Sequence, residues 1–141
     1  LQKVYISFAP ERNIHPGDIV VFYRNGVQGS AGHTAVLTSV AIIEEAISGF
    51  ASREEYMSHV QNRSVFTNNE LERFWRQHGS NQIVLKFIFI KSLVKRPILK
   101  FLWDSDIIAF PNGPRPFTRI SDNQFNMILS ESQTDLSRYW R

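Results

Sequence analysis

Ile83-Val84-Leu85-Lys86-Phe87-Ile88-Phe89-Ile90 is apolar at odd and even positions alike, with Lys86 the one exception. Successive side chains of a strand point to opposite faces, so a strand apolar on both faces must be covered on both. The stretch therefore predicts a central strand, and the rest of the chain is read outward from it. Immediately before it lie two segments with helix-start chemistry, Ser52-Arg53-Glu54-Glu55 and Thr67-Asn68-Asn69-Glu70. In each, a hydroxyl can accept from the amide three residues on while the Glu reaches back, which is a capping box. The first helix is expected to run to about Asn62. The second is expected to present Leu71, Phe74 and Trp75 on one face and to end near Gly79.

Further upstream, Val4-Tyr5-Ile6-Ser7-Phe8 reads as a first strand that stops at Pro10. Asn13 to Asp18 contains Pro16-Gly17-Asp18 and reads as a turn. Ile19-Val20-Val21-Phe22-Tyr23 follows as a second strand, ended by Arg24-Asn25-Gly26, a hairpin signal. Gly29 to Gly32 is expected to be flexible. His33 to Ile43 is rich in β-branched residues and reads as a long, bent strand.

Downstream, Lys95-Arg96-Pro97 punctuates the chain. Ile98 to Trp103 fits a short helix with Pro97 at its first position, and fits a strand equally well. Pro111-Asn112-Gly113-Pro114-Arg115-Pro116 is a stiff loop, and Phe117 to Ile120 a short extended piece. Ser121-Asp122-Asn123-Gln124 is a third capping box, whose helix carries Phe125, Ile128 and Leu129. About five strands interrupted by helices, without βαβ alternation, predict an α+β fold. A small, highly curved sheet or barrel with helices at its ends would cover the strands.

The 141 residues fit one domain, taken as residues 1–130 with a polar C-terminal tail, 131–141, that is either frayed or docked through Tyr139 and Trp140. The chain does not begin with Met, which reads as a processed product or a segment of a longer protein. No cysteine is present, so disulfide scaffolds, thiol catalysis and Cys-based zinc sites are excluded. The four His show no metal-ligand spacing. No Gly-rich phosphate loop or G-x-S-x-G is present, so neither metal nor cofactor is expected. No stretch approaches the roughly 18 apolar residues of a membrane helix, and no signal peptide is read, so a soluble cytoplasmic module is expected. Between Lys86 and Arg119 seven basic residues face two acids, whereas Glu44 to Arg76 holds six Glu and four Arg. A regional excess of positive charge attracts polyanions, although it also fits a solvated face.

Three blocks resemble the PUA-like superfamily, in particular its ASCH, EVE and related domains. They are His15-Pro16-Gly17-Asp18-Ile19-Val20-Val21-Phe22-Tyr23-Arg24, the segment Arg63 to Leu71, and Pro114-Arg115-Pro116-Phe117-Thr118-Arg119-Ile120-Ser121. Their order, with Ile83 to Ile90 between the second and third, spans most of residues 4–130. The resemblance implies a PUA-like β-barrel of five to six strands with flanking helices and a cleft between them. It implies binding of RNA, or of a modified nucleobase or nucleotide taken out of a strand. It also implies a place as the C-terminal module of a longer protein with an acetyltransferase-like or nuclease-like region, fused or associated, so a regulatory interaction domain of such a protein is one alternative. Some ASCH-type domains hydrolyse amides with Lys, Thr and Glu, which makes a hydrolase of nucleoside-like amides another alternative. That set does not map onto this chain residue by residue.

The candidate binding residues follow from that resemblance and from side-chain chemistry. Tyr23, Arg24 and Asn25 end the apolar strand at a stretch that lines the cleft of EVE-like relatives. There a ring can stack a base and a guanidinium can hold phosphate; packing and turn roles are the other reading. His33 and Thr34, at the start of the long strand, are placed near them by pairing, and a structural role fits them as well. Arg115, Phe117 and Arg119 put two cations around an aromatic in a loop that prolines stiffen, an arrangement suited to single-stranded nucleic acid. Phe117 as a core plug and Arg119 paired with Glu44 or Glu45 is the alternative. Trp75 and Trp103 are both expected to be buried in the core or at an interface, with Trp103 as a cage wall the minor reading. An enzyme would need a carboxylate and a Lys converging, and Glu44, Glu45 and Lys86 are the candidates.

Overall fold

The computed structural model describes residues 2–139. Its strands are β1 (Gln2–Ser7), β2 (Ile19–Arg24), β3 (Val36–Ser48) and β4 (Ile83–Ser92). Its helices are α1 (Ala31–Thr34), α2 (Arg53–Val60), α3 (Asn68–His78), α4 (Leu99–Asp104) and α5 (Asp122–Glu131), with a 3₁₀ turn at Ser137–Tyr139. The strands form one four-stranded sheet in the order β1-β4-β3-β2. β4 is an inner strand, as its two apolar faces require, and pairs antiparallel with β1, placing Tyr5 opposite Leu85.

The expected barrel of five to six strands is corrected by this sheet. It is open, with β1 and β2 at its edges, and the described residues supply no fifth strand. The physical reason lies in the segment after β4. Val36 and Ile98 make a single isolated bridge, after which α4 begins. Pro111, Pro114 and Pro116 then lack the amides a ladder needs. Pro116 and Phe117 occupy the centre of a turn closed by Thr118 N–H to Arg115 O (3.1 Å). Phe117 sits at φ +62°, so with Pro before it the turn is type II, an unusual place for a bulky residue.

The chain forms two compact units. The first contains residues 2–20 and 41–89. Its core is Ile6, Phe50, Tyr56, Met57, Val60, Leu71 and Val84, with Phe66, Phe74 and Trp75 packed against it. Trp75 stacks on Tyr56 (5.4 Å between centroids), and Phe74 meets Phe8 and Phe66 edge-on. Both helices of this unit begin where the sequence predicts. Glu55 N–H donates to Ser52 Oγ (3.1 Å), but Glu55 Oε2 accepts from Ala51 rather than from Ser52. Thr67 and Glu70 form the full reciprocal box, and the amide donated by Thr67 holds the Glu70 carboxyl below its ordinary pKa. α2 ends at Val60, two residues short of Asn62, and Asn62 takes φ +63° beyond it.

The second unit contains residues 21–40 and 90–139. Its core joins Ala35, Leu37 and Val40 of β3 and its approach to Leu99, Leu102, Ile107, Ile108, Ile128 and Leu136. Ser121 and Gln124 form a reciprocal capping box that starts α5. Ser132, Thr134 and Leu136 of the tail are buried, and Lys95 N–H donates to Ser132 O (2.9 Å). Trp140 lies outside the described residues. α4 begins at Leu99, two residues later than a Pro97 start would give. Among the described residues no helix is long and apolar enough to cross a membrane.

Candidate functional site

The second unit holds a cleft of about 710 Å³ whose walls include Tyr23 of β2, His33 of α1, Lys100, Trp103 and Asp104 of α4, and Phe110. The loop between β2 and β3 builds one wall. Thr34 Oγ1 accepts from Val27 N–H (2.7 Å) and donates to Ser30 O (3.0 Å), and Ser30 N–H donates to Val27 O (3.0 Å). Gly26 lies so close to this knot that an added Cβ would sit 2.3 Å from Thr34 Oγ1 and 2.4 Å from Ala35 N. The expected flexible loop and strand start are therefore corrected: residues 31–34 form a helical turn, and His33 and Thr34 belong to it.

α4 builds the opposing wall. The spacing Lys100, Trp103, Asp104 places all three on adjacent positions of one helical face. Trp103 Nε1–H donates to Asn112 O (2.7 Å), which fixes the indole. Its six-membered ring lies over Gly32, where a Cβ would come within 2.8 Å of Cζ3. Phe110 meets the indole edge-on, with centroids 4.9 Å apart and planes at 86°, and is itself 72% exposed. Two aromatic rings are thus held at right angles at an open surface, with the Tyr23 hydroxyl against Gly113 in the same cleft. Burial raises the Tyr23 phenol above its ordinary pKa.

The structure brings together two of the eight predicted residues, Tyr23 and His33, in the cleft wall. Thr34 spends its hydroxyl inside the loop, as both acceptor and donor. Arg24 and Asn25 are exposed at and just beyond the end of β2. Arg115, Phe117 and Arg119 follow the cleft segment, with both arginines exposed. Lys100, Asp104 and Phe110 are the residues that sequence reasoning missed, and Trp103 as a cage wall was only its minor reading. The i, i+3, i+4 spacing in α4 carried the signal, but it is legible only once that segment is known to be helical.

The basic stretch also divides. Lys86 is 5% exposed and belongs to the first unit, where its Nζ donates to His59 Nδ1 (3.0 Å) and lies 3.8 Å from Glu45 Oε1. An ammonium has no acceptor, so this contact places the His59 ring proton on Nε2. Glu44 accepts instead from the Gln2 amide (2.7 Å). The described residues of the second unit include eight basic residues against five acids. Comparison with models of protein families gives no match to this chain, and comparison with curated proteins gives none.

Proposed function

We propose that the protein is a binding module for single-stranded RNA or a modified nucleobase, and that the base enters the cleft of the second unit. The observation that carries this reading is the Trp103 indole, fixed by Asn112, with the exposed ring of Phe110 perpendicular to it. Such rings gain about 1–3 kcal/mol per stacked base and accept any base through its π-face. The basic excess of the same unit supplies long-range attraction for the backbone, with Arg24, Arg115 and Arg119 exposed. The similarity of three sequence blocks to PUA-like domains supports the same class of ligand, apart from the barrel. A cytoplasmic location, where RNA is available, is part of the proposal.

Fluorescence anisotropy with short single-stranded RNA and DNA at two salt concentrations tests it. The expected result is binding that weakens with salt and is lost at least fivefold in Phe110→Ala with the melting temperature unchanged. Binding unaffected by Phe110→Ala would remove the cleft from the account.

A second reading, hydrolysis of a nucleoside-like amide, has one observation in its favour: Glu45 and Lys86 approach to 3.8 Å beside His59. It requires measurable turnover that disappears in Glu45→Gln.

A further inference from the structure

Resting on the nucleobase reading, we propose that the cleft selects a base carrying a fixed positive charge, as ring-nitrogen methylation produces, and reads it without its phosphate. Three aromatic side chains, Tyr23, Trp103 and Phe110, contribute to the walls. The faces of such rings are negative, and an indole is the best of them for a cation. The one carboxylate in the wall is Asp104, whose side chain is 61% exposed and open to a ligand.

The cations of the wall do not oppose this. Lys100 is the sole Lys or Arg there, and its Nζ already contacts Asp104 Oδ2 at 2.6 Å. Both partners of that pair are about half exposed, and an exposed i, i+4 pair on a helix contributes little. A charged base can take the place of the ammonium at Asp104, because the long Lys100 side chain has solvent to move into. A phosphate would instead meet the Asp104 carboxylate and the ring faces, with Lys100 the sole Lys or Arg of the wall to offset them. The arginines at Arg24, Arg115 and Arg119 stand outside the lining residues, so backbone attraction and base selection are separate functions of this unit.

Two isomers make a direct test, because 1-methyladenosine is cationic near neutral pH and N6-methyladenosine is neutral. Calorimetric titration of the full chain should show 1-methyladenosine binding about tenfold tighter than its isomer, the scale of one cation–π contact plus one carboxylate. Its 5′-monophosphate should bind no tighter than the nucleoside. Asp104→Asn should shrink the tenfold ratio to twofold or less while the melting temperature holds, and Lys100→Ala should preserve or widen it. Equal affinity for the two isomers would overturn charge selection and leave base binding standing. Absence of binding by every nucleoside would overturn both readings. Binding of a trimethyl-lysine peptide with no nucleoside binding would overturn them too, in favour of a protein ligand.

Discussion

Trp75 and Trp103 look alike in the sequence, each an indole near the end of a short helical pattern, yet they are put to different uses. Trp75 lies on an eleven-residue helix with a full capping box, and its ring stacks on Tyr56 within the aromatic cluster of the first unit. Trp103 lies on a six-residue helix with no side-chain cap. It packs partly on the core of the second unit, but its indole is aimed by Asn112 and Gly32 and edged by the exposed ring of Phe110. Both rings are half-buried, and the difference is in what holds each one. An aromatic stacked on another ring of a core cluster adds stability, whereas one held by a backbone carbonyl and a glycine is positioned, and its remaining surface is left for something else.

That contrast can be broken by substitution. Trp75→Ala should cost about 3 kcal/mol of stability in chemical denaturation, with ligand affinity per folded molecule unchanged. Gly26→Ala should cost roughly as much, because the new methyl meets the backbone of Ala35 as well as Thr34, and it should disorganise the cleft wall. Gly32→Ala is gentler, since its Cβ meets only the Trp103 ring. It should move the indole and weaken RNA binding about tenfold, with a loss of stability near 1 kcal/mol. A Gly32→Ala protein that binds normally would show that the indole position does not matter.

The last effect, seen only at alkaline pH, is a pH dependence confined to the first unit. Burial pushes the Tyr56 phenol up to about 12. The folded pKa is raised, so the native state holds the proton more tightly than the unfolded chain. The associated stability is complete below the ordinary pKa of 10 and is lost as pH rises from 10 to about 12. Denaturation midpoints of the wild type should fall across that window, and those of Tyr56→Phe should fall less.

Local chemistry was the most legible part of the sequence. The second and third Ser/Thr boxes are formed reciprocally at Thr67 and Ser121, and the first forms by half, at Ser52. The inner position of β4 followed from its two apolar faces. What failed was anything depending on distant partners. The β-rich composition after Gly32 concealed the helical turn at 31–34, which exists because Thr34 ties it to Val27 and Ser30. Lys86 counted as part of a basic face, but His59 and Glu45, far away in the chain, make a buried position tolerable. Of the cleft, Tyr23 and His33 were recognisable by type, while Phe110 had no pattern to mark it and Trp103 resembled any core indole.

The most direct measurement follows the indole Nε1–H resonances of Trp75 and Trp103 by NMR while a short single-stranded RNA is added to the full chain. The account predicts that the Trp103 resonance shifts in a saturable way and that of Trp75 stays in place. RNA binding that leaves Trp103 unmoved, or that moves Trp75 instead, would contradict it.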